Sequence, residues 1–188
     1  QKSYAKGTRA WDGKPGANYW QNRSNYRISA SIDPKTRRLS GEETITYFNN
    51  SPDSLKSLRI KLQHDRYRKG AARAFDVTPS DVEDEGTRIE AITYNGVAVP
   101  EKQRSRSSTF LDVSLKSSPL APTSSATLTI KWSYILPLGT DAARECVCDS
   151  TSFFVSYWYP QIAVYDDLNG WASHPYSGLQ EFYNDFAD

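Results

Sequence analysis

The chain has no methionine and only two histidines and two cysteines among its 188 residues, and each shortage closes off some chemistry. His64 is followed by Asp65-Arg66-Tyr67-Arg68 and His174 by Pro175, so no HExxH exists and a metallopeptidase zinc site cannot be built from this chain alone. No GxSxG elbow, phosphate-binding P-loop or dinucleotide-binding glycine fingerprint occurs. Cys146 and Cys148 stand in Glu-Cys-Val-Cys-Asp, where a single intervening residue disfavours a strain-free bridge. Neither histidine is near them in sequence, and a structural zinc site needs four ligands. Two ordinary thiols in a loop are expected. No apolar run approaches the ~20 residues that span a bilayer. Twenty-three basic and 22 acidic residues leave a net charge of +1, which gives no global electrostatic reason to expect nucleic acid or an anionic membrane. A 3.6-residue apolar period is also missing, so helix should be scarce.

Alternation is what the chain has in quantity. Its length suits one domain, able to bury roughly 70% of the surface an unfolded chain exposes. Residues 1–20 lack periodicity and read as an extended lead-in, pinned by Trp11 or Trp20. Tyr26, Ile28, Ala30 and Ile32 alternate as a strand does, Asp33-Pro34-Lys35-Thr36 is turn chemistry, and Leu39–Asn49 returns with Ile45 and Tyr47 on one face. Asn50-Ser51-Pro52-Asp53 breaks the run before Leu58, Ile60 and Leu62. Asn95-Gly96 between Ile89–Tyr94 and Val97–Val99 selects a type I′ hairpin. Leu111, Val113 and Leu115 make another strand, and Ala126, Leu128, Ile130, Trp132 and Tyr134 the cleanest of all. Seven or more short strands predict an all-β fold: an antiparallel β-sandwich or a bent, saddle-shaped sheet.

Between Gln63 and Gly86 the charges segregate, with His64, Arg66, Arg68, Lys69 and Arg73 followed by Asp76, Asp81, Glu83, Asp84 and Glu85. The basic run could contact phosphate and Asp81–Glu85 a hard cation such as calcium, as could Asp166–Asn169. Solvated loop faces are the simpler expectation, since no EF-hand spacing or aromatic interleaving supports either. The densest signal is Phe153–Trp171, FFVSYWYPQIAVYDDLNGW, with six aromatic residues in its first thirteen positions. Aromatic and β-branched residues favour a pleated, half-buried surface, and Pro160 interrupts it. The expected course is a strand, a break at Pro160, a short strand through Ile162–Tyr165 and a turn. Its rings either fill the core or, with the polar groups among them, line a binding surface. Asp166 and Asp167 are adjacent and point apart, which suits neither glycosidase geometry.

The order YWQNRSNYRISASIDPKTRRLSGEETITYFNNSPDSLKSLRIKL, followed by WYPQIAVYDDLNGWASHPYSGLQEFYNDFAD, resembles the N-terminal domain of the gluzincin aminopeptidases, the family of aminopeptidase N and leukotriene hydrolase. Its bacterial branch, with WYP…AVYDD…GW…EFY, is the nearest pattern, and the resemblance covers about residues 20–188. It implies a non-catalytic, saddle-like β domain over residues 21–188 that walls the peptide-binding cleft. Zinc, its HExxH ligands and the general base would belong to a catalytic metallopeptidase domain of the same parent chain. The family's saddle continues beyond the point matched by EFYNDFAD, so a fragment is expected, and relatives of this branch are commonly exported to the periplasm or beyond. In the family a Gln or Glu of this domain accepts hydrogen bonds from the α-ammonium at the peptide substrate's N-terminus. Tyr157 stands where the branch carries Gln, and Gln161 is the substitute four residues on; with Asp166 and Asp167 these are the polar candidates on the wall. The competing expectation is a stand-alone binding or adhesion β-sandwich without peptidase activity, using exposed tyrosine and tryptophan.

Overall fold

The computed structural model describes residues 2–71, 74, 85–138, 145–178 and 183–188. Its two longest early strands, β1 (Arg23–Asp33) and β2 (Arg38–Asn49), form the expected wide hairpin, in register from Arg23↔Phe48 to Asp33↔Arg38. Asp33 closes the turn by accepting from the Lys35 N–H at 3.0 Å and the Thr36 hydroxyl at 2.7 Å. Next come β3 (Ser57–Lys61), β4 (Arg88–Tyr94) and β5 (Val97–Ala98). Between the last two, Asn95 and Gly96 take φ values of 48° and 78°, the positive pair a type I′ turn demands. The chain continues through β6 (Arg104–Ser107), β7 (Phe110–Ser114) and β8 (Ser124–Ile135). Six short strands follow: β9 (Glu145–Val147), β10 (Phe153–Val155), β11 (Gln161–Ile162), β12 (Tyr165–Asp166), β13 (Gly170–Trp171) and β14 (Phe186–Ala187).

One sheet has the order β14-β1-β2-β8-β4-β5 and the other β11-β3-β7-β6. All their pairings are antiparallel except that of β14 with β1. The inward residues of β2, β4 and β8 (Ile45, Tyr47, Ile92, Leu128, Ile130, Trp132) and of β3 and β7 (Leu58, Ile60, Leu111, Val113) form one buried cluster. Each such side chain contributes about 1.5–3 kcal/mol relative to exposure, so period-2 alternation is enough to make the two faces cohere. The result is the all-β antiparallel sandwich the sequence predicts. Gly41 is dictated by this core: a Cβ there would meet Trp132 Cζ2 at 2.5 Å, so only glycine lets the indole lie on β2.

Three features depart from expectation. The lead-in is not extended: α1 (Lys2–Lys6) opens it, and an Arg9↔Pro15 bridge folds it back on itself. The start of the basic run is no solvated loop. Gln63–Tyr67 is a 3-10 turn whose His64, Asp65 and Arg66 are 2%, 0% and 2% exposed. Arg73, Asp76, Asp81, Glu83 and Asp84 lie outside the described residues. The third departure is at the cysteines. Both are free thiols, Cys146 in β9 and Cys148 just beyond it, but their Sγ atoms approach to 2.8 Å rather than standing apart in a loop.

Candidate functional site

Phe153–Trp171 runs as a ribbon across the sandwich. β10 pairs with β9, the chain turns at Tyr157 with φ 58°, and after the buried Pro160 β11 joins the edge of the smaller sheet, Gln161 opposite Lys61. Trp158 and Tyr159 lie half-buried over the larger sheet, their rings 6.0 Å from Trp132 and 5.4 Å from Tyr26 respectively. Ala163 and Val164 are buried, and the Ala163 N–H donates to the Arg59 carbonyl at 2.8 Å. β12 and β13 then form a hairpin, and the Tyr165 hydroxyl donates to Asp53 at 2.8 Å. That bond joins the Asn-Ser-Pro-Asp turn to the ribbon. The turn is itself held by the buried Asn49, whose amide donates to the carbonyls of Asp53, Leu120 and Ala121 at 2.8–3.2 Å. Most of the ribbon is buried or half-buried against the core, and Phe154 and Leu168, 48% and 39% exposed, reach solvent.

Beneath it lies a buried polar network. The Tyr134 hydroxyl is 3.2 Å from both Glu145 Oε1 and the Trp158 carbonyl. Glu145 Oε2 is 3.3 Å from His64 Nδ1 and 3.9 Å from the Arg66 guanidinium. Arg66 donates to the Tyr176 hydroxyl at 2.9 Å and to Tyr67. Burial, reinforced by Glu145, raises the Tyr134 phenol well above its ordinary pKa, so it remains a donor.

The four residues singled out from the sequence are not brought to one point. Asp166 borders a cavity of about 200 Å³ whose other polar lining includes Lys61, Gln63, Asn169, His174 and Tyr183. Its Oδ1 caps the hairpin turn through the Leu168 and Asn169 N–H groups at 2.8 and 2.6 Å, and its Oδ2 accepts from the Tyr183 hydroxyl at 3.3 Å. Gln161 borders a second cavity of about 270 Å³ with Tyr26, Tyr159, Asn184 and Asp185. Tyr157 is half-buried, edge-on to Tyr176 at 5.5 Å. Asp167 faces the lead-in: it accepts from Thr8 and, at 3.2 Å, from Arg9, while its carbonyl accepts from Lys6 Nζ at 2.8 Å. Burial pushes its pKa up, but the Thr8 and Arg9 bonds outweigh that and the net shift is down.

Sequence reasoning missed Lys61 and Asp185. Lys61 donates to the Tyr183 carbonyl at 3.2 Å and to Asn184. Burial lowers its pKa to about 8 against the pull of Asp185, and burial raises Asp185 to about 6 against Lys61. The only available signal was parity, which turns Lys61 away from the Leu58–Ile60–Leu62 face. Among the described residues no three His, Cys, Asp or Glu side chains converge in a group that could hold a metal ion. The Asp166–Asn169 stretch spends Asp166 Oδ1 on its own turn, and Asp81–Asp84 lie outside the described residues.

No protein-family model matches the sequence, and no curated protein matches it. In fold the chain is similar to part of M1 zinc metallopeptidase structures from Deinococcus radiodurans. A point variant bound to a Tyr-Ser-Ala substrate matches at TM-score 0.40 with 17% identity over 69% of this chain and 24% of that one. A structure of the M1 zinc metallopeptidase without the substitution matches at TM-score 0.40 with 18% identity over 68% and 23%. The chain thus spans about a quarter of the length of the structures it matches.

Proposed function

We propose that this chain is the N-terminal β domain of a gluzincin-type zinc aminopeptidase, inactive by itself, which walls one side of a peptide cleft and supports a catalytic domain. The ribbon carries the reading. The stretch with the family's compound pattern, Trp158 to Trp171, is laid over the sandwich with most of its residues buried or half-buried, and Asp166 and Gln161 each border a cavity beside it. A carboxylate or amide oxygen there can accept from a peptide's α-ammonium. At Asp166 Oδ2 the ammonium would compete with one Tyr183 hydroxyl at 3.3 Å, a modest neutral donor. Asp167, occupied by Thr8 and Arg9, would brace the wall, and Tyr157 would support it from beside Tyr176. The parent enzyme's zinc, exported location and peptide substrate belong to the same proposal.

The test is assay of the pure chain with added zinc against aminoacyl fluorogenic substrates, together with the downstream reading frame. No hydrolysis, no stoichiometric zinc and a frame continuing into HExxH are expected; hydrolysis by the pure chain overturns the reading. The second reading, a stand-alone binding module, is favoured by Trp11, which is 82% exposed and stacked on Tyr4 at 3.9 Å with planes 2° apart. A frame ending without HExxH would support it.

A further inference from the structure

Cys146 and Cys148 lie two residues apart on one extended segment, so their side chains project to the same side. Extended residues at that spacing have Cα atoms about 6.6–6.8 Å apart, at the upper end of the range a disulfide spans. Their Sγ atoms are already 2.8 Å apart. Two features hold them there. β9 is fixed to β10 by the Cys146↔Phe154 and Val147↔Phe153 pairs. Beyond it the Cys148 N–H donates to the Ser152 carbonyl at 2.9 Å, and Asp149 Oδ1 closes the turn by accepting from the Thr151 and Ser152 N–H groups at 2.7 and 2.8 Å. The two thiols differ in access: Cys146 is 4% exposed, whereas Cys148 faces solvent. Burial, followed by the contact with Cys148, pushes the Cys146 thiol up to about 11.

We propose that Cys146 and Cys148 form a reversible intrachain disulfide by exchange with a small-molecule disulfide of the glutathione type. The exposed thiol acts first. Cys148, having released its proton to solvent, attacks one sulfur of R–S–S–R; that bond breaks, and the departing thiolate takes up a proton. Cys146 then loses its proton as its sulfur attacks Cys148 Sγ in the mixed disulfide, expelling the second RSH. Two protein thiols are oxidised and one external disulfide is reduced to two thiols. The neighbour at 2.8 Å outcompetes a second protein molecule because the closing step is intramolecular. The bridge would staple the strand that carries Glu145, the acid shared by His64 and Tyr134.

The full chain is incubated with oxidised glutathione at mildly alkaline pH, acid-quenched, and read by intact mass and peptide mapping. The wild type is expected to lose two hydrogens, keep no glutathione and yield one peptide linked internally between Cys146 and Cys148. Cys146→Ser, or Cys146→Ala if serine is not tolerated at the buried position, is expected to hold at least about tenfold more mixed disulfide than the wild type, because nothing resolves it. Cys148→Ser is expected to remain unreacted. A wild type that keeps the glutathione adduct, stays fully reduced, or forms a covalent dimer overturns the proposal.

Discussion

Glu43 sits at mid-strand in β2, 0% exposed, between Ile28 and Ile130 on the inward face. Neither carboxyl oxygen has a hydrogen-bond partner among the described residues, and burial raises its pKa to about 9. At neutral pH it is therefore an uncharged acid, which is the cheaper form to bury. From the unfolded value near 4.5 up to about 9, the folded chain holds a proton that the unfolded chain has released, so stability falls as pH rises through that window. The slope is on the order of 1 kcal/mol per pH unit. Glu43→Gln is expected to remove it: in urea titrations between about pH 5 and pH 8 the variant's advantage over the wild type grows steadily with pH. A constant difference would mean that Glu43 titrates normally. Strand parity puts residue 43 on the side of Ile45 and Tyr47, so its inward direction was legible in the sequence. What no local pattern carries is the lack of a partner there.

Among the elements, two bidentate arginine–carboxylate pairs join strands to their neighbours but differ in burial. Arg59 on β3 meets Asp112 on β7 at 2.7 and 2.8 Å, with 24% and 29% of the side chains exposed. Arg106 on β6 meets Asp65 of the 3-10 turn at 2.6 Å through both nitrogens, and Asp65 is fully buried while also accepting from the Thr87 N–H at 2.8 Å. Removing Arg106 strands a buried charge, whereas removing Arg59 leaves Asp112 in reach of water. Arg106→Ala is expected to cost about 3 kcal/mol and Arg59→Ala about 1 kcal/mol or less, read from urea midpoints at unchanged m-values. Equal losses would place Asp65 in contact with solvent. This pair also explains why β6 was invisible in the sequence. Arg-Ser-Arg-Ser has no apolar alternation, and besides its ladder with β7 it is held by an acid 41 residues away. The strands β2, β4, β7 and β8 carry apolar alternation of their own, and that alternation announced them.

At the scale of the whole molecule, the first twenty residues and the ribbon are stitched together by contacts about 160 residues apart in sequence. Five residues of helix are too few for a periodic signal, and a turn held by a remote carboxylate leaves no local trace, so the folded lead-in could not be read from its own sequence. The anchoring was partly legible, since Trp20 does stack near Tyr165 at 6.0 Å, but Trp11 points to solvent. Asp167 is the principal stitch, with 13% of its side chain exposed and Thr8, Arg9 and Lys6 around it. Its two side-chain acceptor bonds are charge-assisted, each contributing about 1.5–3 kcal/mol at most when shielded and less at the exposed Arg9. Asp167→Ala is therefore expected to release the lead-in locally while the sandwich stays folded. In hydrogen exchange the amides of residues 2–20 should open at least about tenfold more readily, with those of β2 and β8 unchanged. If all of them accelerated together, the lead-in would be a part of the core's cooperative unit. If none did, the Trp20–Tyr165 stack rather than the carboxylate would be what holds the lead-in to the ribbon.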